Sequence, residues 1–258
     1  MARLGARRAR GFTLTELAVV FTIISLLLAT ALYTLSAQTQ QRNFEETRRR
    51  LEAARELLLA FALVNGRLPC PASATTGATA GLEAPTGGGT CTAPGPYGGW
   101  LPARTIGFQI LDSAGNAVDA WNNPIRYAVS AAALTGCTGT STVPHFTNAT
   151  TLRANGITCQ PNDLVVCQSA TGITATTCGT AVSLTNQNTL VALVFSISKN
   201  GVTGSGGIDE AANVNGDRVF VWHTPTPSGA ANGEFDDQMV WISVGELYGK
   251  LISAGVLP

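Results

Sequence analysis

Glu16 is the only full charge between Phe12 and Leu35, in the otherwise apolar run FTLTELAVVFTIISLLLATALYTL. A carboxylate in hydrocarbon costs roughly 2.5–3.5 kcal/mol on insertion scales, so one kept there is usually functional; a tolerated charge near the interface, four residues beyond Phe12, is the alternative. A second group of reactive oxygens lies late in the chain. Asp209, Glu210, Asp217, Asp236 and Asp237 stand in SKNGVTGSGGIDEAANVNGDRVFVWH and NGEFDDQMVWIS. Carboxylates in Gly/Asn loops suit Ca²⁺, which takes about six to eight oxygens. Asp209, Asp217 and Asp236 are the expected ligands. The spacing does not match an EF-hand, and solvated turn acids explain it equally well. The third group is Cys70, Cys91, Cys137, Cys159, Cys167 and Cys178. The count is even and no C-x-x-C occurs, which disfavours close-pair zinc and redox motifs. Structural disulfides in an oxidising compartment are expected, with buried free thiols as the alternative. Cys70 and Cys91 can close one loop, and the other four are expected to pair among themselves.

Catalysis finds little support. His145 and His223 are the only histidines, and neither accompanies a nucleophile motif such as G-x-S-x-G. TGGGTC and GTSTVPHF lack the strand, helix and lysine of a phosphate loop. No catalytic residue is assigned, and no enzyme is expected.

The elements that must position these groups follow from pattern. Arg3, Arg7, Arg8 and Arg10 precede Gly11 without an acidic residue, and the apolar run begins only after it. That order differs from a secretory signal peptide. The run is long enough to span a bilayer, and the arginines favour a cytoplasmic N-terminus. Without the first 11 residues, twelve basic face sixteen acidic residues, which argues against a general nucleic-acid surface. Beyond the run, Phe44, Thr47, Leu51, Ala54, Leu58 and Phe61 recur at three- and four-residue steps and predict an amphipathic helix. Arg48, Arg49, Glu52, Arg55 and Glu56 read as its solvated face. Asn65-Gly66 and Pro69 end it. From Phe12 to Val64 such a helix measures roughly 80 Å.

Residues 67–105 are rich in Gly, Pro, Thr and Ala and read as a loop that packs back near Tyr97–Pro102. IRYAVSA, DLVVCQ, TLVALVFSISK, RVFVWHT and QMVWISV read as short strands. Val191, Leu193, Phe195 and Ile197 are expected on one face of theirs. GELYGKLISAGVLP reads as a closing helix.

RGFTLTELAVVFTIISLLLATAL resembles the N-terminus of type IV pilins and type II secretion pseudopilins. Their pattern is a basic leader, Gly, Phe, Thr-Leu, a Glu four residues after the Phe, and an apolar helix. Gly11, Phe12, Thr13, Leu14 and Glu16 match. The resemblance implies cleavage between Gly11 and Phe12 by a prepilin peptidase, N-methylation of Phe12, and assembly through Glu16. It also implies an inner-membrane assembly platform and other pilin or pseudopilin subunits as partners. Many pilins carry helix breakers in this segment. Here no Gly or Pro occurs between Phe12 and Val64, and Ser25 and Tyr33 hold the corresponding positions, which leans toward a pseudopilin or minor pilin.

DAWNNPIRYAVS resembles the Asp-x-Trp-Gly-Asn-Pro turn of the major type II pseudopilin through Asp119, Trp121, Asn123 and Pro124. Asn122 replaces its Gly, and Trp121 is expected in the core. SISKNG followed by acidic residues is similar to that protein's calcium loop, though not residue by residue.

The reading is an α+β pilin-like fold: a long N-terminal helix packed on an antiparallel sheet, with a disulfide-stapled insertion. Its parts are a leader (1–11), a transmembrane and assembly helix (12–35), an amphipathic continuation (36–66) and a periplasmic β-rich domain (67–258) with a Cys-rich insertion (134–188). The expected place is the inner membrane, single-pass, with the C-terminal domain in the periplasm. The expected role is a structural subunit of a pilus-like or type II secretion filament. The alternatives are a minor pilin with an adhesive or DNA-capturing tip, and a membrane-anchored periplasmic binding protein.

Overall fold

The computed structural model describes residues 13–132, 144–201 and 206–257, without the side chains of residues 31–37. Helix α1 (Leu14–Asn65) runs without interruption for 52 residues, as a stretch lacking Gly and Pro should. Contacts divide the chain into two compact units, one up to Asn43 and one from Phe44 onward.

In the first unit the large apolar side chains from Leu14 to Leu28 are 45–85% exposed. A helix apolar on every side has no water-facing stripe to present. Among the described residues no helix is long and apolar enough to cross a membrane. Their share of the apolar run, Leu14–Thr30, rises roughly 26 Å against a hydrocarbon core of about 30 Å.

In the second unit α1 buries one stripe. Thr47, Leu51, Ala54, Leu58 and Ala62 are fully buried, at steps of three and four residues. Phe44 and Phe61, at the ends of the predicted stripe, are only partly buried. Gly66 ends the helix at φ 65°, where its N–H donates to the Ala62 carbonyl at 2.8 Å.

The stripe packs on a four-stranded antiparallel sheet. Its strands are β1 (Gly99–Trp100), β2 (Arg126–Val129), β4 (Leu190–Ser196) and β6 (Gln238–Ser243), in that spatial order. A second sheet pairs β3 (Val165–Cys167) with β5 (Val219–Val221) in parallel. Short helices α2 (Ala103–Ile106), α3 (Ala149–Asn155) and α4 (Ile208–Val214) lie between strands, and α5 (Val244–Ser253) follows β6.

All seven residues of β4 are buried, so it is covered on both faces. One face joins Leu51 and Leu58 in the main core; the other meets Leu164, Val166 and Phe220 beside the smaller sheet. Val191 departs from its expected face. A register shift between Leu190 and Ala192 moves Val191 to the helix side, leaving Leu193 and Phe195 opposite. A bulge adds one residue to the alternation, and sequence periodicity carries no mark of it.

Two further expectations change. Arg55 does not sit on a merely solvated face. Its Nη2 donates to both carboxylate oxygens of Glu246 at 2.6 and 2.5 Å, and its Nε to the Trp241 carbonyl at 2.9 Å. It thereby ties α1 to α5 and β6. Trp121 is only partly buried and meets Phe44 edge-on, ring centres 4.9 Å apart. The turn that contains it is tight: Asp119 Oδ1 accepts from the N–H groups of Trp121 and Asn123, and Asn122 takes φ 68°.

The 67–98 loop is held from inside. Cys70 and Cys91 form a disulfide, and Arg67 makes a buried two-point pair with Glu83, both contacts 2.8 Å. Further on, Cys167 and Cys178 form a second disulfide. Cys159 is also disulfide-bonded, and Cys137 lies outside the described residues. Through β3 the 134–188 stretch contributes a strand to the layer covering β4.

Candidate functional site

Gly11 and Phe12 lie outside the described residues; Glu16 lies within them. Thr13 precedes α1, and Glu16 sits in its first turn. Glu16 Oε2 accepts from the Thr13 N–H at 2.9 Å and from the Thr13 hydroxyl at 2.8 Å. The Glu16 N–H donates back to Thr13 Oγ1 at 3.3 Å. This reciprocal Thr-x-x-Glu arrangement is a capping box, which satisfies N–H groups that a helix start leaves unpaired. The sequence carries it as TLTE, although the apolar run drew attention to the charge alone.

The second cluster forms where α4 meets the start of β6. Glu210, Asp236 and Asp237 are all buried and offer oxygens within 4.8 Å of one another. Each is held on one side. Glu210 Oε1 accepts from the Asp236 N–H at 2.7 Å and from Asn200 Nδ2 at 3.2 Å. Asp237 Oδ2 accepts from Asn213 Nδ2 at 2.8 Å. The other sides are open: Asp236 Oδ1 and Asp237 Oδ1 are buried without a hydrogen-bond partner. Such oxygens are costly unless something compensates them. Gly206 fits because any Cβ there would collide with the Glu210 carboxylate. A cavity of about 200 Å³ adjoins, lined by Glu210, Asp237, Asn200, Gly206 and Arg126.

The electrostatics agree. Burial, then Glu210 and Glu234, push Asp236 up to about 7. Burial raises Asp237 well above the carboxylate range, and Glu210 and Asp236 add to it. Glu210 is raised by burial, then by Glu234 and Asp209. Three buried acids, two of them raised further by Glu210, favour either shared protons or a cation.

Of the predicted ligands, Asp236 alone joins this cluster. Asp209 points away from its neighbour Glu210 and is fully engaged, accepting from the Ala170 N–H, Asn232 Nδ2 and Ser169 Oγ. His223 Nε2 lies 3.2 Å from its Oδ2. Asp217 closes a turn, accepting from Asn215 Nδ2 and the Val219 N–H at 2.8 Å each. Asp217 is a turn acid. Glu210 and Asp237 join Asp236 in the cluster instead; the signal for Asp237 was the acid pair Asp236-Asp237 directly ahead of an apolar strand, and Glu210, inside α4, carried no such signal.

His145 is wholly buried, its Nε2 3.1 Å from the Tyr248 hydroxyl, which donates to the Cys159 carbonyl. Burial lowers it to about 4, so the ring stays neutral and serves packing.

A family model, the prokaryotic N-terminal methylation motif, matches residues 6–32. Comparison with curated proteins and with solved structures finds no match. The chain thus carries the type IV pilin and pseudopilin signature on an α+β, pilin-like fold. The motif implies a membrane-anchored precursor and, in general terms, dealings with a prepilin peptidase and with other pilin subunits.

Proposed function

We propose that the chain is a structural, non-catalytic subunit, a pseudopilin or minor pilin, of a type IV pilus-like or type II secretion filament. In this reading the peptidase cuts after Gly11, and the run from Phe12 to Leu35 anchors the precursor in the inner membrane with its body in the periplasm. The observation that carries it is one carboxylate, Glu16, in the first turn of an apolar helix inside the matched motif. Unpaired, Glu16 opposes burial in hydrocarbon; paired with the Phe12 amine of a neighbouring subunit, it fixes the stagger between helices that apolar contacts leave free to slide. Glu16→Ala should insert and be processed as the parent is, yet fail to join the filament. Site-specific cross-linking between subunits in cells tests this, and normal cross-linking in Glu16→Ala contradicts it.

A second reading concerns the body. Glu210, Asp236 and Asp237 are proposed to hold one Ca²⁺, with the two unpartnered oxygens as its favourable contacts. The donors are all hard oxygens, which suits Ca²⁺ over zinc. A bound cation stabilises only the folded state. Millimolar calcium should therefore raise the melting temperature of the full chain in detergent over a chelator-treated sample, and Asp237→Asn should abolish the difference. An unchanged melting temperature contradicts this reading.

A further inference from the structure

We propose that the open edge of β6 is a docking site for an extended segment of another polypeptide, one that alternates apolar and acidic side chains and adds to the sheet as a further strand. The inference stands on the body alone and is independent of the roles given above to Glu16 and to the acid cluster.

β6 comes last in the spatial order of its sheet, so only its β4 side is paired. In an antiparallel pair, successive residues turn their main-chain groups to opposite sides. Arg55 Nε donates to the Trp241 carbonyl from outside the ladder at 2.9 Å, which puts Trp241, and with it Met239, on the open side. The Arg55 contact closes the edge at that carbonyl. It leaves the Trp241 N–H and both main-chain groups of Met239 without a hydrogen-bond partner among the described residues. Natural sheets usually blunt such an edge along its length, and β6 is blunted only at one end.

A groove of about 650 Å³ lies along this edge. One wall is α1, with Phe44 and Arg48; the other carries Trp222, Pro225 and Trp241. The two tryptophans meet edge-on, ring centres 6.1 Å apart, and Trp222 is exposed. A strand laid beside β6 points successive side chains to the two walls in turn. The aromatic wall suits apolar residues. On the α1 wall Arg48 is exposed and, unlike Arg50 and Arg55, has no ion-pair partner among the described residues. Charge complementarity there selects an acidic residue. Main-chain donors and an acceptor at alternate residues are what an extended polypeptide pairs with, which favours a peptide over a saccharide stacked on the tryptophans.

Tryptophan fluorescence of the full chain in a non-ionic detergent tests this. The probes are acetyl-Val-Asp-Val-Asp-Val-amide, its Lys counterpart, and the Asp form N-methylated at its central amides, which removes the donors that a strand needs. The Asp peptide should give a saturable change and bind about tenfold more tightly than either of the others. Arg48→Glu should reverse the preference toward the Lys peptide. Met239→Pro should weaken the Asp peptide about tenfold and keep the β4 ladder, because the N–H it removes faces the open edge. The N-methylated peptide needs no variant, so the test stands even where Met239→Pro fails to fold. No saturable change with any peptide, equal binding of the Asp and N-methylated forms, full binding to a folded Met239→Pro, or an Arg48→Glu chain that still prefers Asp overturns the proposal. So does a fluorescence change with cellohexaose and none with the Asp peptide, which would give the tryptophans to a saccharide.

Discussion

From Leu14 to Leu28 large apolar side chains stand 45–85% exposed, whereas in the body the carboxylates of Glu210, Asp236 and Asp237 are less than one-tenth exposed. Each region reverses the usual sorting of side chains between water and interior. The body otherwise follows the rule closely, with Leu51, Leu58, Phe195 and Tyr127 wholly buried. The two exceptions are where the chain carries a cost that the rest of the body avoids. For the helix an apolar environment would compensate the exposure; for the acids, shared protons or a cation would compensate the burial. Both fit a subunit whose anchor and body meet different partners.

The sharpest way to break this contrast is to truncate one leucine in each region. Leu58→Ala should cost about 2–5 kcal/mol of stability, because it empties a packed site between α1 and the sheet. Leu26→Ala, at 69% exposure, should stay within about 0.5 kcal/mol in the same denaturant titration. Comparable losses at the two positions would show that the first unit has a core of its own.

Removing the disulfide of the 67–98 loop comes next. Cys70 and Cys91 are 21 residues apart, and replacing both with Ser should cost about 3 kcal/mol. The loss should appear in unfolding of the body and leave membrane retention of the anchor unchanged. Calcium at about a hundred times its dissociation constant should add about 2.7 kcal/mol to the parent and nothing to Asp237→Asn.

The smallest expected effect is a pH slope. The native chain keeps His145 neutral down to about 4, while the unfolded chain takes up its proton near 6.5. As pH falls through that window the unfolded state gains a proton that the native state lacks, so stability falls. His145→Gln should show a shallower loss between pH 6.5 and 4.5 in urea midpoints. Identical slopes in the two proteins would contradict the buried neutral ring.

What was legible in the sequence differs between the regions for a physical reason. Local patterns report local structure. TLTE, the unbroken apolar run and the Leu51–Leu58 stripe are all relations within a few residues, and so are the turn at Asn122 and the five strands. The acidic site is not local. Asp236 and Asp237 reach Glu210 only after a chain reversal of more than twenty residues, and adjacent Asp209 and Glu210 point apart because neighbouring positions on α4 face different ways. Sequence proximity thus favoured Asp209 and Asp217, which the fold spends on His223, Asn232 and a turn. Likewise Arg55 looked like any charge on a helix surface until α5 brought Glu246 against it.

The central claim is that this chain is made as a prepilin-like precursor and matured at one bond. Mass analysis of the N-terminal peptide from membrane-bound protein tests it most directly. The account predicts a chain beginning at Phe12 with a methylated amine, and accumulation of the uncut form in Gly11→Val. A mature N-terminus at any other residue, or an intact leader on the wild-type protein in cells with an active prepilin peptidase, would contradict it.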